Sequence, residues 1–108
     1  MSAPLLVACA ATSLLLGIPV LGAATALETR HRVAAAADAA ALAAADALHG
    51  WIDADPCALA AEVTAATEVS LSGCSIEPES GAVTVRAAAA TMLGVVEISA
   101  RAGSPGIE

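Results

Sequence analysis

The chain has 108 residues, of which 58% are hydrophobic and only 14% charged, with a mean hydropathy of +0.80; ordinary soluble domains carry about 25% charged residues. The net charge of −7, with four arginines and no lysine, excludes a nucleic-acid surface, because tracking a phosphate backbone takes clustered cations. The apolar share is mostly alanine, with no Phe or Tyr and one Trp; at about 25 cal/mol per Å² buried such a core is weak, so the composition points to a bilayer.

From Ala3 to Leu27 no side chain is charged. A helix needs about 20 residues to cross the hydrocarbon layer, so residues 1–27 are read as a transmembrane helix, with a modest kink expected at Pro19. Ala24-Thr25-Ala26 has the small-x-small pattern of a signal-peptidase site. However, no basic segment precedes the apolar run, and the run exceeds the roughly 7–15 residues of a signal core. A retained anchor is therefore preferred over a cleaved signal. Leu6-Val7-Ala8-Cys9 looks like a lipid-attachment box but stands too close to Met1, and Cys9 reads as a small apolar residue of the helix.

Glu28-Thr29-Arg30-His31-Arg32 marks the membrane surface. The following segment, Val33 to His49, is rich in alanine and lacks Gly and Pro, so residues 28–50 are expected to continue the helix out of the membrane and to stop at Gly50. Asp38 and Asp46 fall near one face, with Leu42 between them. The small alanines, Ala37 and Ala41 among them, would let another backbone approach closely. This protruding helix is either a solvated stalk or a packing surface for assembly.

Asp55 is a good N-cap and Pro56 a good first helical residue, so a short helix is expected from Pro56 to about Thr67, with Leu59 and Val63 on one face. From Glu68 the period becomes two: Val69, Leu71, Gly73 and Ser75 alternate with Glu68, Ser70, Ser72 and Cys74. Ser80-Gly81 reads as a turn, Val83 and Val85 belong to a second strand, and Gly94 to Arg101 form a third. Ala87 to Leu93 is a loop or a strand extension. The expected fold is α+β: a three-stranded antiparallel meander and a short helix, residues 51–102, set against the protruding helix. Residues 103–108 are expected to be a disordered tail.

With Cys9 in the membrane, Cys57 and Cys74 remain. A disulfide between them would contribute about 3 kcal/mol in the chain-entropy model, a large share for a domain with so poor a core; two free thiols or a metal site are the competing readings. A metal lacks support, since there is no CxxC and His31 and His49 have no ligand spacing. A disulfide implies an oxidising compartment. Arg30 and Arg32 point the other way, because the positive-inside rule would draw their flank into the cytoplasm.

A catalytic triad or Cys–His pair needs a base held against its nucleophile. His31 lies at the membrane surface, and His49 ends a helix. The acidic pairs Asp53/Asp55 and Glu77/Glu79 fall in turns and read as solvated. No Gly-rich phosphate loop, HExxH or paired-carboxylate cleft is present. The expectation is a protein that is not an enzyme, without cofactor or small-molecule substrate.

The segment Glu28-Thr29-Arg30-His31-Arg32-Val33-Ala34-Ala35-Ala36-Ala37-Asp38-Ala39-Ala40-Ala41-Leu42-Ala43-Ala44-Ala45 resembles the signature of the TadE/TadG-like proteins of Flp (Tad) pilus assembly systems. In that family a membrane helix is followed by basic positions, here Arg30 or Arg32, and then by an Ala-Ala-Asp-Ala-Ala-Ala-Leu-Ala pattern, here Ala36 to Ala43. The chain is most similar to the short TadE-like proteins of helicase and secretion gene neighbourhoods in high-GC Gram-positive bacteria. Those proteins also carry two cysteines outside the membrane and an ending like Ala100-Arg101-Ala102-Gly103. Two features depart from the family: Met1-Ser2-Ala3 stands where a short basic or Gly-Ser stretch is usual, and no prepilin-peptidase site is present. The resemblance implies a single-pass cell-membrane protein with its C-terminal domain outside the cytoplasm. Its partners would be other membrane proteins of a pilus or secretion apparatus, and its role structural or in assembly. The alternative expectation is a small binding module, secreted or anchored.

Overall fold

The computed structural model describes residues 2–103; the rest of the expected tail, 104–108, lies outside the described residues. The elements follow as α1 (Ser2–Leu48), α2 (Pro56–Ala66), β1 (Ser70–Glu77), β2 (Ala82–Thr91) and β3 (Gly94–Ala102). The chain measures 74 × 28 × 19 Å, and the long dimension is α1 itself, since 47 helical residues rise about 70 Å.

The helix runs unbroken through Pro19, whose missing N–H leaves the Leu15 carbonyl without its helical donor. Two hydroxyls in the apolar half are tied to the helix's own carbonyls: Thr12 Oγ1 donates to Ala8 O at 2.8 Å and Thr25 Oγ1 to Leu21 O at 2.9 Å. This back-bonding satisfies a polar side chain without a water partner. At its far end α1 closes with Gly50, φ +82°. There Gly50 N–H donates to Ala47 O and Trp51 N–H to Asp46 O, the Schellman pattern that needs a left-handed residue.

α2 begins as its sequence dictates: Asp55 accepts a hydrogen bond from Ala58 N–H at 2.9 Å, and Pro56 opens the first turn. It ends in a second Schellman pattern, with Glu68 N–H donating to Ala65 O and Val69 N–H to Thr64 O. The left-handed position there falls on Glu68, φ +61°, rather than on a glycine.

The sheet is an antiparallel meander in the order β1-β2-β3. Ala87 to Thr91, open in sequence between loop and strand, extends β2. α1 lies across β2 and β3, while α2 lies beside α1 and over β1, giving two layers around one core. That core is small. Ala40, Ala41, Ala44 and Ala60 meet Val83 and Val85; nearer the apolar half of α1, Val33, Ala36 and Ala37 meet Val69 and Ala87. Thr64, the polar residue in this interior, donates its hydroxyl to Ala61 O at 3.0 Å.

The 28–50 segment is therefore one wall of the domain, not a separate stalk. Its buried residues recur at Val33, Ala36, Ala37, Ala40, Ala41, Ala44 and Ala45, the spacing of one helical face. Residues 33–48 and 56–102 fold as a unit, so the boundary expected at residue 50 divides a single core.

Candidate functional site

Two surfaces carry the chemistry of this chain: the bare apolar half of α1 and the disulfide-closed domain at its other end. An 18-residue window of α1 has a mean hydropathy of 2.2, and none of it is buried inside the molecule. A soluble core helix of that hydropathy would be covered by its own protein. This one is long and apolar enough to cross a membrane, as a span or as a signal sequence, and the described residues provide no cover for it.

Cys57, in the first turn of α2, and Cys74, in mid-β1, are joined, with their Cα atoms 5.9 Å apart. The join depends on an irregularity that period-two reading misses. The ladder pairs Leu71 with Ala87 and Gly73 with Arg86, so Ser72 is an extra residue, a bulge in β1. Uninterrupted alternation puts Cys74 on the outer face with Ser70 and Ser72. Beyond the bulge the phase is reversed, and Cys74 pairs with inward-facing Val85. There it packs against the core beneath α2. Cys9 is a free thiol, exposed on the apolar half of α1.

The signature residues divide between two faces. Ala37 and Ala41 are fully buried within the chain, which corrects their reading as a surface for an assembly partner: the backbone that approaches those alanines is the chain's own sheet. Asp38 and Leu42 are exposed on the opposite face, Leu42 by 60%, and Arg30 and Arg32 are exposed on the collar where the apolar run ends.

Among the acidic pairs, Asp55 is the α2 cap, and Glu77 is ion-paired rather than solvated alone. Arg101 Nε donates to Glu77 Oε2 at 3.0 Å and its Nη2 to Oε1 at 3.2 Å, a bidentate bridge between the outer strands β1 and β3. The Arg101 guanidinium, by hydrogen bond first and by charge second, holds the Glu77 carboxyl below its ordinary range, with Ser80 and Thr84 adding weaker hydrogen bonds; Glu77 in turn raises Arg101. Among the described residues no three His, Cys, Asp or Glu side chains converge as a metal ion requires.

The β2–β3 turn was the least legible part of the sequence. Met92 and Leu93 are 95% and 80% exposed, the extremes among the large apolar side chains outside α1 apart from Trp51. They face Ile18, Leu21 and Thr25 across a cleft of about 360 Å³. The signal available in the sequence was the absence of any ionisable residue from Ala87 to Val96. No family model, curated protein or solved structure matches this chain.

Proposed function

We propose that the protein is a TadE/TadG-like component of a Flp/Tad-type pilus or secretion apparatus. It is anchored by α1, holds its disulfide-closed domain outside the cytoplasm, and acts as a structural or assembly subunit. The observation that carries this reading is one unbroken helix with two fates: an apolar half that none of the described residues covers, and an alanine half consumed by a small domain. Such a molecule presents a fixed domain above a membrane. The resemblance of residues 28–45 to the family signature supplies the identity of the apparatus. The Cys57–Cys74 bond supports an oxidising compartment. It outweighs the pull of Arg30 and Arg32 toward the cytoplasm, because a cytosolic dithiol is kept reduced.

With the alanine face occupied, the partner surface falls on the opposite side of α1, at Asp38 and Leu42. The test is a photo-crosslinking residue at Leu42, compared with one at Ser99 on the outer face of the sheet, in native membranes. An intact mass is measured for the same material, together with the activity of a phosphatase fused after Glu108. The expected result is an uncleaved chain, an active phosphatase, and capture of secretion-system membrane proteins from Leu42. A mature chain beginning at Leu27 overturns the anchor in favour of a secreted module. An uncleaved chain that captures no membrane protein from either position leaves an anchored binding module, and an inactive phosphatase overturns the topology.

A further inference from the structure

The β2–β3 hairpin points toward the apolar half of α1. The opposite turn of the meander abuts His49 at Gly81, at the far end of the helix. From there the ten residues of β2 extend about 33 Å, while α1 from His49 back to Ala26 measures about 34 Å. The hairpin thus overreaches the charged collar of Glu28, Arg30 and Arg32, and its tip stands beside Ile18, Leu21 and Thr25. Those residues lie within the uncharged run. We propose that Met92 and Leu93, backed by Val95, insert into the adjoining leaflet of the bilayer that α1 crosses. This is a second point of attachment whose ligand is lipid acyl chain, and the inference rests on the membrane-spanning reading of α1.

The chemistry of the tip suits that medium. Val95, 72% exposed on the sheet's outer face, adds to the bare surface of Met92 and Leu93. Together they form an apolar patch continuous with the uncovered helix, and patches of this kind mark protein or membrane contacts. Charge returns on the domain side of the tip, at Arg86 and Glu97. The turn also satisfies its own backbone. Thr91 Oγ1 accepts from Leu93 N–H at 3.1 Å and donates to Gly94 O at 2.7 Å, so fewer polar groups enter the hydrocarbon without a partner. Gly94, φ +128°, supplies the positive φ, which spares Met92 and Leu93 from it. The cleft between tip and helix is lined by apolar side chains with Thr25 and Thr91, and in a bilayer a lipid tail fills it.

The test uses the full chain in phosphatidylcholine vesicles, with Cys9→Ser removing the free thiol and the disulfide left intact. An environment-sensitive fluorophore is placed in turn by Met92→Cys, Leu93→Cys, Leu15→Cys and Glu79→Cys. Insertion requires that probes at positions 92, 93 and 15 be blue-shifted, and quenched several-fold more by acyl-chain nitroxides than by aqueous iodide, with the reverse at position 79. A probe in hydrocarbon at position 15 but in water at 92 and 93 overturns the insertion and leaves the span standing. Water at position 15 as well overturns the membrane-spanning reading, and the insertion falls with it.

Discussion

Replacing Ala41 by leucine tests whether the alanine face belongs to this domain or to a partner. Ala41 is 1% exposed and is walled by Ala44, Ala60, Val83 and Val85. Leucine adds three heavy atoms at a site with no room for them. Overpacking of this kind costs about 1–3 kcal/mol, and the upper end applies here. The sheet cannot simply retreat from α1, because the Cys57–Cys74 bond ties β1 to α2 and α2 packs on α1. A loss of about 3 kcal/mol lowers Tm by about 12–24 °C for a domain of this size. The control is Ala39→Leu on the exposed side, where leucine is a good helix former and the change is expected to stay within about 0.5 kcal/mol. Thermal unfolding of the detergent-solubilised protein, followed by the strand signal in circular dichroism, reads both. Equal Tm values for Ala41→Leu and the wild type, with loss of membrane partners, would return the alanine face to a partner and refute the packing described above.

Alkylation of the native protein should label Cys9 alone, with Cys57 and Cys74 becoming reactive only after reduction. Deleting Ser72 removes the bulge but leaves Leu71, Gly73 and Cys74 in plain alternation opposite Ala87, Arg86 and Val85, so Cys57 and Cys74 should stay protected without reductant. Cys57→Ser should instead let Cys74 label and cost about 3 kcal/mol of stability with the bond. Glu68→Gly should stabilise the domain by about 0.5–1 kcal/mol, read as a raised Tm, because a left-handed φ costs an L-residue about 1–2 kcal/mol and glycine returns part of that gain as unfolded-state entropy. The Glu77 carboxyl is held below its ordinary range by Arg101, so the folded state binds that proton less readily than the unfolded state. Its contribution is present above the ordinary carboxylate pKa and is lost as pH falls through the depressed one. Denaturation midpoints taken down the acid limb should therefore fall less steeply for Glu77→Gln than for the wild type, and parallel limbs would count against the bridge.

Those outcomes separate what the sequence carries locally from what it leaves to packing. Gly50 stops α1, and Asp55-Pro56 starts α2, because each acts through its own backbone and side chain; both are visible to inspection. The direction of the alanine face is not. Ala34, Ala35, Ala39 and Ala43 lie off the buried stripe while Ala36, Ala37, Ala40 and Ala41 lie within it, so composition offers no contrast between the two sides, and only the sheet's position decides. The Ser72 bulge is equally silent, since a serine in a polar stretch fits either phase of the strand. The cysteine pair was recognisable by elimination, although the simple alternation put Cys74 on the wrong face for it. Ala87 to Thr91 gave no period at all: alanine suits helix better than strand, and it pairs here because β3 lies beside it. The Glu77–Arg101 bridge joins residues 24 apart, a contact set by the meander's register and invisible along the chain.

The absence of a joint between the two halves of α1 has a mechanical consequence. No glycine, proline or loop interrupts the helix from Val20 to Leu48 apart from Gly22, and the sheet splints its upper part. In the membrane-anchored function proposed above, the domain is thus a lever fixed to the rod that crosses the lipid. Membrane helices tilt by about 20° on average and lean further where the bilayer is thin. Over the roughly 33 Å from Leu27 to His49, a 20° lean carries the far end sideways by about 11 Å. Bilayer thickness would then steer where Trp51 and the α2 start point, and torque applied at one end of the rod would be felt at the other.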